Sequence, residues 1–238
     1  MKRFLGVDGK TIDIRNDQRI STLTKRNILM KTRRAHEHID TPGGIGCALS
    51  HIALWKWLSE SNEELLLVME DDAVVSPDFV QRANAIIQQS PTLQDPTKWD
   101  MWVIGAQWQS SPSIEGENTS GLVNAPAFFL FHAYVIHRRY AQKIYDNCFP
   151  IEAHIDFWLS NFSILQNARI VATPRLKLKQ AGTKSDIQPT QTLAIVDIPD
   201  NYEKTHTLIS NTEYMLARGA EAAVLLFVGY IVVRQLIK

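Results

Sequence analysis

The sequence predicts an α/β sandwich, and three observations carry that prediction. Short apolar runs alternate with stretches whose apolar residues recur at helical spacing. One of those runs, Leu65-Leu66-Leu67-Val68-Met69, ends abruptly in three acids, Glu70-Asp71-Asp72. The chain has 238 residues, enough for one sizeable domain whose core needs neither disulfides nor a structural metal. Lysine and arginine together number 25, as do aspartate and glutamate. No global field therefore favours nucleic acid or an anionic membrane surface, and binding must come from local sites.

The elements follow in order. Thr41-Pro42-Gly43-Gly44 is a breaker cluster, and Leu49, Ile52, Ala53, Trp55 and Leu58 repeat at helical spacing behind it, so a helix is expected from about Cys47 to Ser59. Ser50 and His51 then fall in its first turns, where exposed backbone N–H groups favour an anion. The five apolar residues from Leu65 to Met69 read as a strand buried on both faces, with the acids at its carboxyl end, where open α/β sheets place ligands. Alternation along a strand would turn Glu70 and Asp72 to one side and Asp71 to the other. Two hard oxygen ligands on one side suit Mg²⁺ or Mn²⁺ carried in by a diphosphate. The plainer reading is a solvated acidic turn.

Ser76-Pro77-Asp78-Phe79 opens a second helix, to about Gln89, with proline where helix starts accept it. Trp99 to Ala106 reads as a strand, and the polar stretch from Gln107 to Asn124 as a long loop in which Trp108 either offers a flat face to a sugar or packs under the loop. Phe128 to Ile136 is a further strand with an aromatic run that belongs to the core, and Arg138 to Asn147 a helix. After Pro150 another helix begins, with His154 and Asp156 in its ligand-facing first turns and Phe157, Trp158 and Leu159 toward the core. Ala168 to Ala172 is a short strand closing on Pro174, followed by Arg175, Lys177 and Lys179, which face either a diphosphate or solvent.

The domain ends near residue 190. Residues 191 to 213 read as a polar connector, and 214 to 238 as an apolar terminal helix. Its core, Ala222 to Val233, is short against the roughly 20 residues of a bilayer span, so a membrane anchor and a packed helix both fit. Met1 to Lys10 lacks the apolar core of a secretory signal. Cys47 and Cys148 are too few for a disulfide framework and read as buried thiols. His36 and His38, flanking Glu37, read as part of a charged, solvated stretch.

Several ordered segments resemble glycosyltransferase family 25, the lipopolysaccharide-type and collagen galactosyltransferases. Gly43-Gly44-Ile45-Gly46-Cys47-Ala48-Leu49-Ser50-His51-Ile52-Ala53-Leu54-Trp55 and Leu67-Val68-Met69-Glu70-Asp71-Asp72-Ala73 match its G-x-x-G-C-x-x-S-H-x-x-x-W and L-V-x-E-D-D-A signature. Ala133-Tyr134-Val135-Ile136 is similar to its A-Y-x-I-S element, with His137 in the serine's place, and Ile155-Asp156 to its P-x-D element. Pro174, Gln180 and Ser185-Asp186-Ile187 are similar to its closing P-x-x-x-x-Q … S-D-I. Arg3-Phe4-Leu5-Gly6-Val7-Asp8-Gly9-Lys10 resembles the stretch that in this family follows an opening I-N-L-x-R-R-x-D-R strand and helix. The expectation is a domain that lacks the first βα unit.

The resemblance implies a GT-A-like nucleotide-sugar transferase. It would move a hexose, galactose or glucose, from a UDP-sugar to a hydroxyl of a glycan, lipopolysaccharide or glycoprotein. In that reading Glu70, Asp71 and Asp72 hold Mn²⁺ or Mg²⁺, Asp156 is the base on the acceptor side, and Ser50, His51, Gln180, Ser185 and Asp186 line the donor pocket. One rival is a non-catalytic member of the same fold that binds a glycan or a partner chain. A second is a metal-dependent phosphoesterase, which would gather further His and Asp ligands at recognisable spacing; none are evident.

Overall fold

A computed structural model describes residues 2–32, 35–108 and 114–181. Helix α1 (Thr22–Met30) starts at Ser21, whose hydroxyl accepts from Thr24 N–H. Helix α2 (Pro42–Glu60) follows, then strand β1 (Leu65–Met69), the two-residue strand β2 (Ala73–Val74), and helices α3 (Phe79–Gln89) and α4 (Pro91–Gln94). Strand β3 (Met101–Trp108), the short β4 (Val123–Asn124) and β5 (Phe128–His137) come next. Helix α5 (Arg138–Tyr145), helix α6 (Ile155–Leu165), strand β6 (Ile170–Ala172) and the short β7 (Lys179–Gln180) complete the described chain.

The main sheet has the order β1-β5-β3-β6-β4 and is mixed: β3 and β6 are parallel, and the other pairs are antiparallel. A second, two-stranded sheet joins β2 to β7. Alternation along β3 and β5 sends side chains into two cores. Met101, Val103, Tyr134 and Ile136 pack with Ile45, Leu49, Ile52 and Trp55 of α2, Ile144 of α5 and Leu159 of α6. Trp102, Ile104 and Ala133 pack on the opposite face with Phe79 and Ile86 of α3 and Leu93 of α4. The sandwich is therefore helices on both faces of one sheet, as the alternating pattern predicts.

The start of α2 and the burial of β1 depart from expectation. The breaker cluster before α2 is its cap: Thr41 Oγ1 accepts from Gly44 N–H, Pro42 takes the first helical position, and the helix starts five residues before Cys47. Strand β1 is not buried on both faces. It pairs only with β5 among the described residues, and Leu65 and Leu67 are 45% and 43% exposed. A five-residue apolar run does not distinguish a central strand from an edge one.

The amino-terminal segment lies against α2 at very close range. A Cβ on Gly46 would stand 2.5 Å from the carbonyl oxygen of Val7 and 2.8 Å from the nitrogen of Gly9. Both cysteines are free thiols; Cys148 is buried as expected, whereas Cys47 is only half-buried. His38 is buried rather than solvated, whereas His36 is exposed. Among the described residues no helix is long and apolar enough to cross a membrane; the connector and the apolar tail lie outside them.

Candidate functional site

β1 ends at Met69, and the acids occupy a tight turn closed by Ala73 N–H to Glu70 carbonyl oxygen at 3.1 Å. Strand alternation therefore does not govern them. Even so, Glu70 and Asp72 come together electrostatically. Burial raises the Asp72 carboxyl above its ordinary range, and the charge of Glu70 raises it further, while Asp71 is exposed and contributes least.

Asp72 is held on one side only. Its Oδ2 faces Gln180 Nε2 at 3.4 Å, and its carbonyl oxygen accepts from Ala181 N–H at 2.7 Å. Its Oδ1 is buried and has no hydrogen-bond partner among the described residues. A buried, unsatisfied carboxylate oxygen beside a second carboxylate suits a hard divalent cation, which takes oxygen ligands and relieves the repulsion.

Behind Glu70 runs a buried chain of hydrogen bonds. Glu70 Oε1 lies 3.3 Å from His51 Nε2, His51 Nδ1 lies 2.9 Å from the Tyr134 hydroxyl, and that hydroxyl accepts from Trp55 Nε1–H at 3.0 Å. Indole nitrogen only donates, so the Tyr134 oxygen receives one proton and has its own to give. With Tyr134 fully buried, that proton goes to His51 Nδ1, which leaves the histidine proton on Nε2, aimed at Glu70. Burial holds the Tyr134 phenol far above its ordinary pKa, so it keeps its proton.

Cys47, His51 and Glu70 offer ligand atoms within 4.8 Å of one another. They do not make a convincing metal centre. Burial, then the charges of Glu70 and Asp156, push the Cys47 thiol strongly up, so it is not a thiolate, and both ring nitrogens of His51 are already engaged.

Ser50 faces the other way. Its hydroxyl donates to Gly46 carbonyl oxygen at 2.7 Å and accepts from Val7 N–H at 2.8 Å, tying the amino-terminal segment to α2. Because α2 starts early, Ser50 and His51 sit in its middle rather than at the dipole end. Asp156, in the first turn of α6, accepts from Leu130 N–H at 2.8 Å and from Phe157 N–H at 2.9 Å. Leu130 has φ +52°, so the carboxylate also fastens a strained residue of β5. Ser185 and Asp186 lie outside the described residues. Trp108 packs partly into the core with the Lys177 ammonium 4.7 Å above its ring.

The structure thus brings Glu70, Asp72, His51 and Gln180 to one end of the sheet. Tyr134 and Trp55 were not anticipated as partners in this site. Trp55 stands one helical turn after His51, which is a readable signal, but nothing local marks Tyr134 across 83 residues of chain.

The same stretch carries the chain's relationships. A family model described as glycosyltransferase family 25 (LPS biosynthesis protein) matches residues 1–159. The chain belongs to glycosyltransferase family 25. The family match takes in Ser50, His51, the acidic turn and Asp156, while Gln180 lies beyond it. A glycosyltransferase 25 family member of Anopheles gambiae is 25% identical over 169 residues, 68% of this chain and 27% of that protein. One of Drosophila melanogaster is 28% identical over 146 residues, 60% of this chain and 22% of that protein. Procollagen galactosyltransferase 2 of Homo sapiens is 24% identical over 243 residues, 91% of this chain and 38% of that protein. The chain spans well under half the length of these family 25 relatives.

Proposed function

We propose that this chain forms the catalytic core of a hexosyltransferase that takes galactose or glucose from a UDP-sugar and places it on a hydroxyl of a glycan, lipopolysaccharide or glycoprotein. Family membership supports the reaction class. The observation that carries the reading further is the acidic turn, with the buried, unpartnered Oδ1 of Asp72 and the repulsion between Asp72 and Glu70.

In this reading Glu70 and Asp72 hold Mn²⁺ or Mg²⁺, with the exposed Asp71 at the rim. The ion, when bound, supplies positive charge against the departing diphosphate. The chain's own residues do the rest. His51 points an Nε2–H at Glu70 and fixes its carboxylate, and Tyr134 and Trp55 fix His51. Gln180 steadies Asp72 from β7. Asp156 takes the proton of the attacking hydroxyl; two backbone N–H groups hold its orientation, and each carboxylate oxygen keeps a second lone pair for that proton. Ser50 serves the donor side indirectly, by clamping the amino-terminal segment on α2.

Nucleotide and metal binding should be coupled, because two carboxylates leave most of an octahedral shell to phosphate oxygen and water. Calorimetry of UDP with and without Mn²⁺ tests this. We expect tighter binding with the ion, and loss of that gain in Asp72→Ala. Equal UDP affinity in both buffers would remove the metal from the proposal.

A further inference from the structure

Beside the acidic turn, outside the hydrogen-bonded chain behind Glu70, lies a groove of about 220 Å³. Its floor is apolar, built from the buried side chains of Phe79, Leu176 and Leu178. Its rim is cationic: Arg82, Lys177 and Lys179 line it, and no carboxylate does. Asp78, at the start of α3, interacts with Arg82 without lining the groove.

A solvated basic face lets its cations spread apart, because like charges repel. Here the fold sets three of them around one cavity. Arg82 donates to the carbonyl oxygen of Arg175, Lys177 lies over the Trp108 ring, and Lys179 is carried by β7, whose pairing sets it opposite Val74 of β2. The same pairing sets Gln180 opposite Ala73, and Gln180 reaches Asp72. Lys179 is therefore one residue from Gln180, and through it next to the proposed transfer site.

We infer that this groove is a subsite for a negatively charged group, a phosphate or a carboxylate, borne by the sugar acceptor. The word acceptor rests on the transferase reading; anion binding does not. The apolar floor suits the C–H face of a sugar, and the three cations suit the charge attached to it. The volume is below the roughly 300–1,000 Å³ of sites for drug-sized ligands, so it has room for one sugar unit rather than a long oligosaccharide. All three cations are exposed, so binding should weaken as added salt shortens the screening length.

The test titrates the full chain, in phosphate-free buffer, with glucose 6-phosphate, glucuronate and neutral glucose, and separately with UDP and Mn²⁺. At least one charged sugar should bind tenfold or more tightly than glucose, and comparing the two charged sugars distinguishes phosphate from carboxylate as the preferred group. A Lys177→Gln/Lys179→Gln protein should lose that preference, Lys179→Arg should keep it, and neither should change UDP affinity more than about twofold. Equal binding of all three sugars overturns the inference, as does an unchanged preference in the double variant. A double variant that loses UDP affinity by the same factor also overturns it, by assigning the cations to the donor's diphosphate. If UDP fails to bind the unaltered chain, the transferase reading falls while the sugar titrations still decide whether the groove takes anions.

Discussion

Replacing Tyr134 by phenylalanine removes one oxygen atom from the middle of the chain that runs from Trp55 to Glu70. The ring and its packing stay, so nearly all of the effect should come from two orphaned groups. Trp55 and Tyr134 are 0% exposed and His51 is 4% exposed, so water does not replace the lost partner. The indole N–H loses its acceptor at 3.0 Å and His51 Nδ1 its donor at 2.9 Å. Each unsatisfied buried group costs about 1–3 kcal/mol, and allowing for partial relaxation the sum is about 3 kcal/mol. For a domain of this size that lowers the melting temperature by about 6–12 °C. Urea unfolding of both proteins measures the difference, and Trp55→Phe combined with Tyr134→Phe should cost clearly less than the two single changes added together, because they share one interaction. Long-range nitrogen–proton correlation spectra of His51 check the direction of the chain, which requires the proton on Nε2. A Tyr134→Phe protein within 0.5 kcal/mol of the original, or a proton found on Nδ1, would refute this reasoning.

Asp156→Asn should lose about 10²- to 10⁴-fold in turnover, the range expected of a general base, while UDP affinity stays nearly unchanged; an amide accepts through one atom only, so one of the bonds from Leu130 and Phe157 N–H is lost and stability falls by about 1 kcal/mol. A variant that turns over normally would leave the carboxylate only its role of fastening Leu130. Gly46→Ala should destabilise by about 1–3 kcal/mol, because its Cβ meets the backbone of Val7 and Gly9 rather than a yielding side chain, and chemical denaturation measures the change. His137, buried against Trp99 at a ring distance of 4.2 Å, has its pKa lowered to about 4 by burial and then by Arg139. Unfolding frees it to bind a proton below its ordinary value near 6.5, so stability should fall as pH drops from 6.5 toward 4, by at most about 1.4 kcal/mol per unit from this group. His137→Phe should flatten the slope of stability between pH 6.5 and 5, and an unchanged slope would assign the proton uptake elsewhere.

The strands and helices that sequence makes legible are those with an unbroken apolar run or a clear helical period between breakers, such as β1, β3, β5 and α3. Helix α1 escapes because TLTKRNILM mixes polar and apolar residues without a strong stripe, and its buried Thr24 donates to the carbonyl oxygen of Glu152, a contact that the residue type does not announce. The two-residue strands β2, β4 and β7 carry no period at all, yet β2 and β7 bring Gln180 and Lys179 beside the acids. At the candidate site the acids, His51 and Gln180 could be named from motif and residue chemistry. Their mutual geometry could not, since the turn cancels strand alternation and the Tyr134 bond joins positions far apart in the chain. Ser50 lies mid-helix because the breaker cluster caps α2 instead of preceding it, which residue spacing alone does not reveal.

Among the described residues one margin of β1 is unpaired and lies next to two exposed leucines, which is the template on which one molecule recruits another. What restrains that is the charge at both of its ends: Glu63 and Glu64 before the strand, the latter paired with Arg138, and Glu70, Asp71 and Asp72 after it. Two copies laid edge to edge, in either direction, set carboxylates against carboxylates. The acidic turn thus also works against self-association. Were it to hold the proposed ion, part of that restraint would go, and metal-loaded protein should stick to itself at lower concentration than metal-free protein.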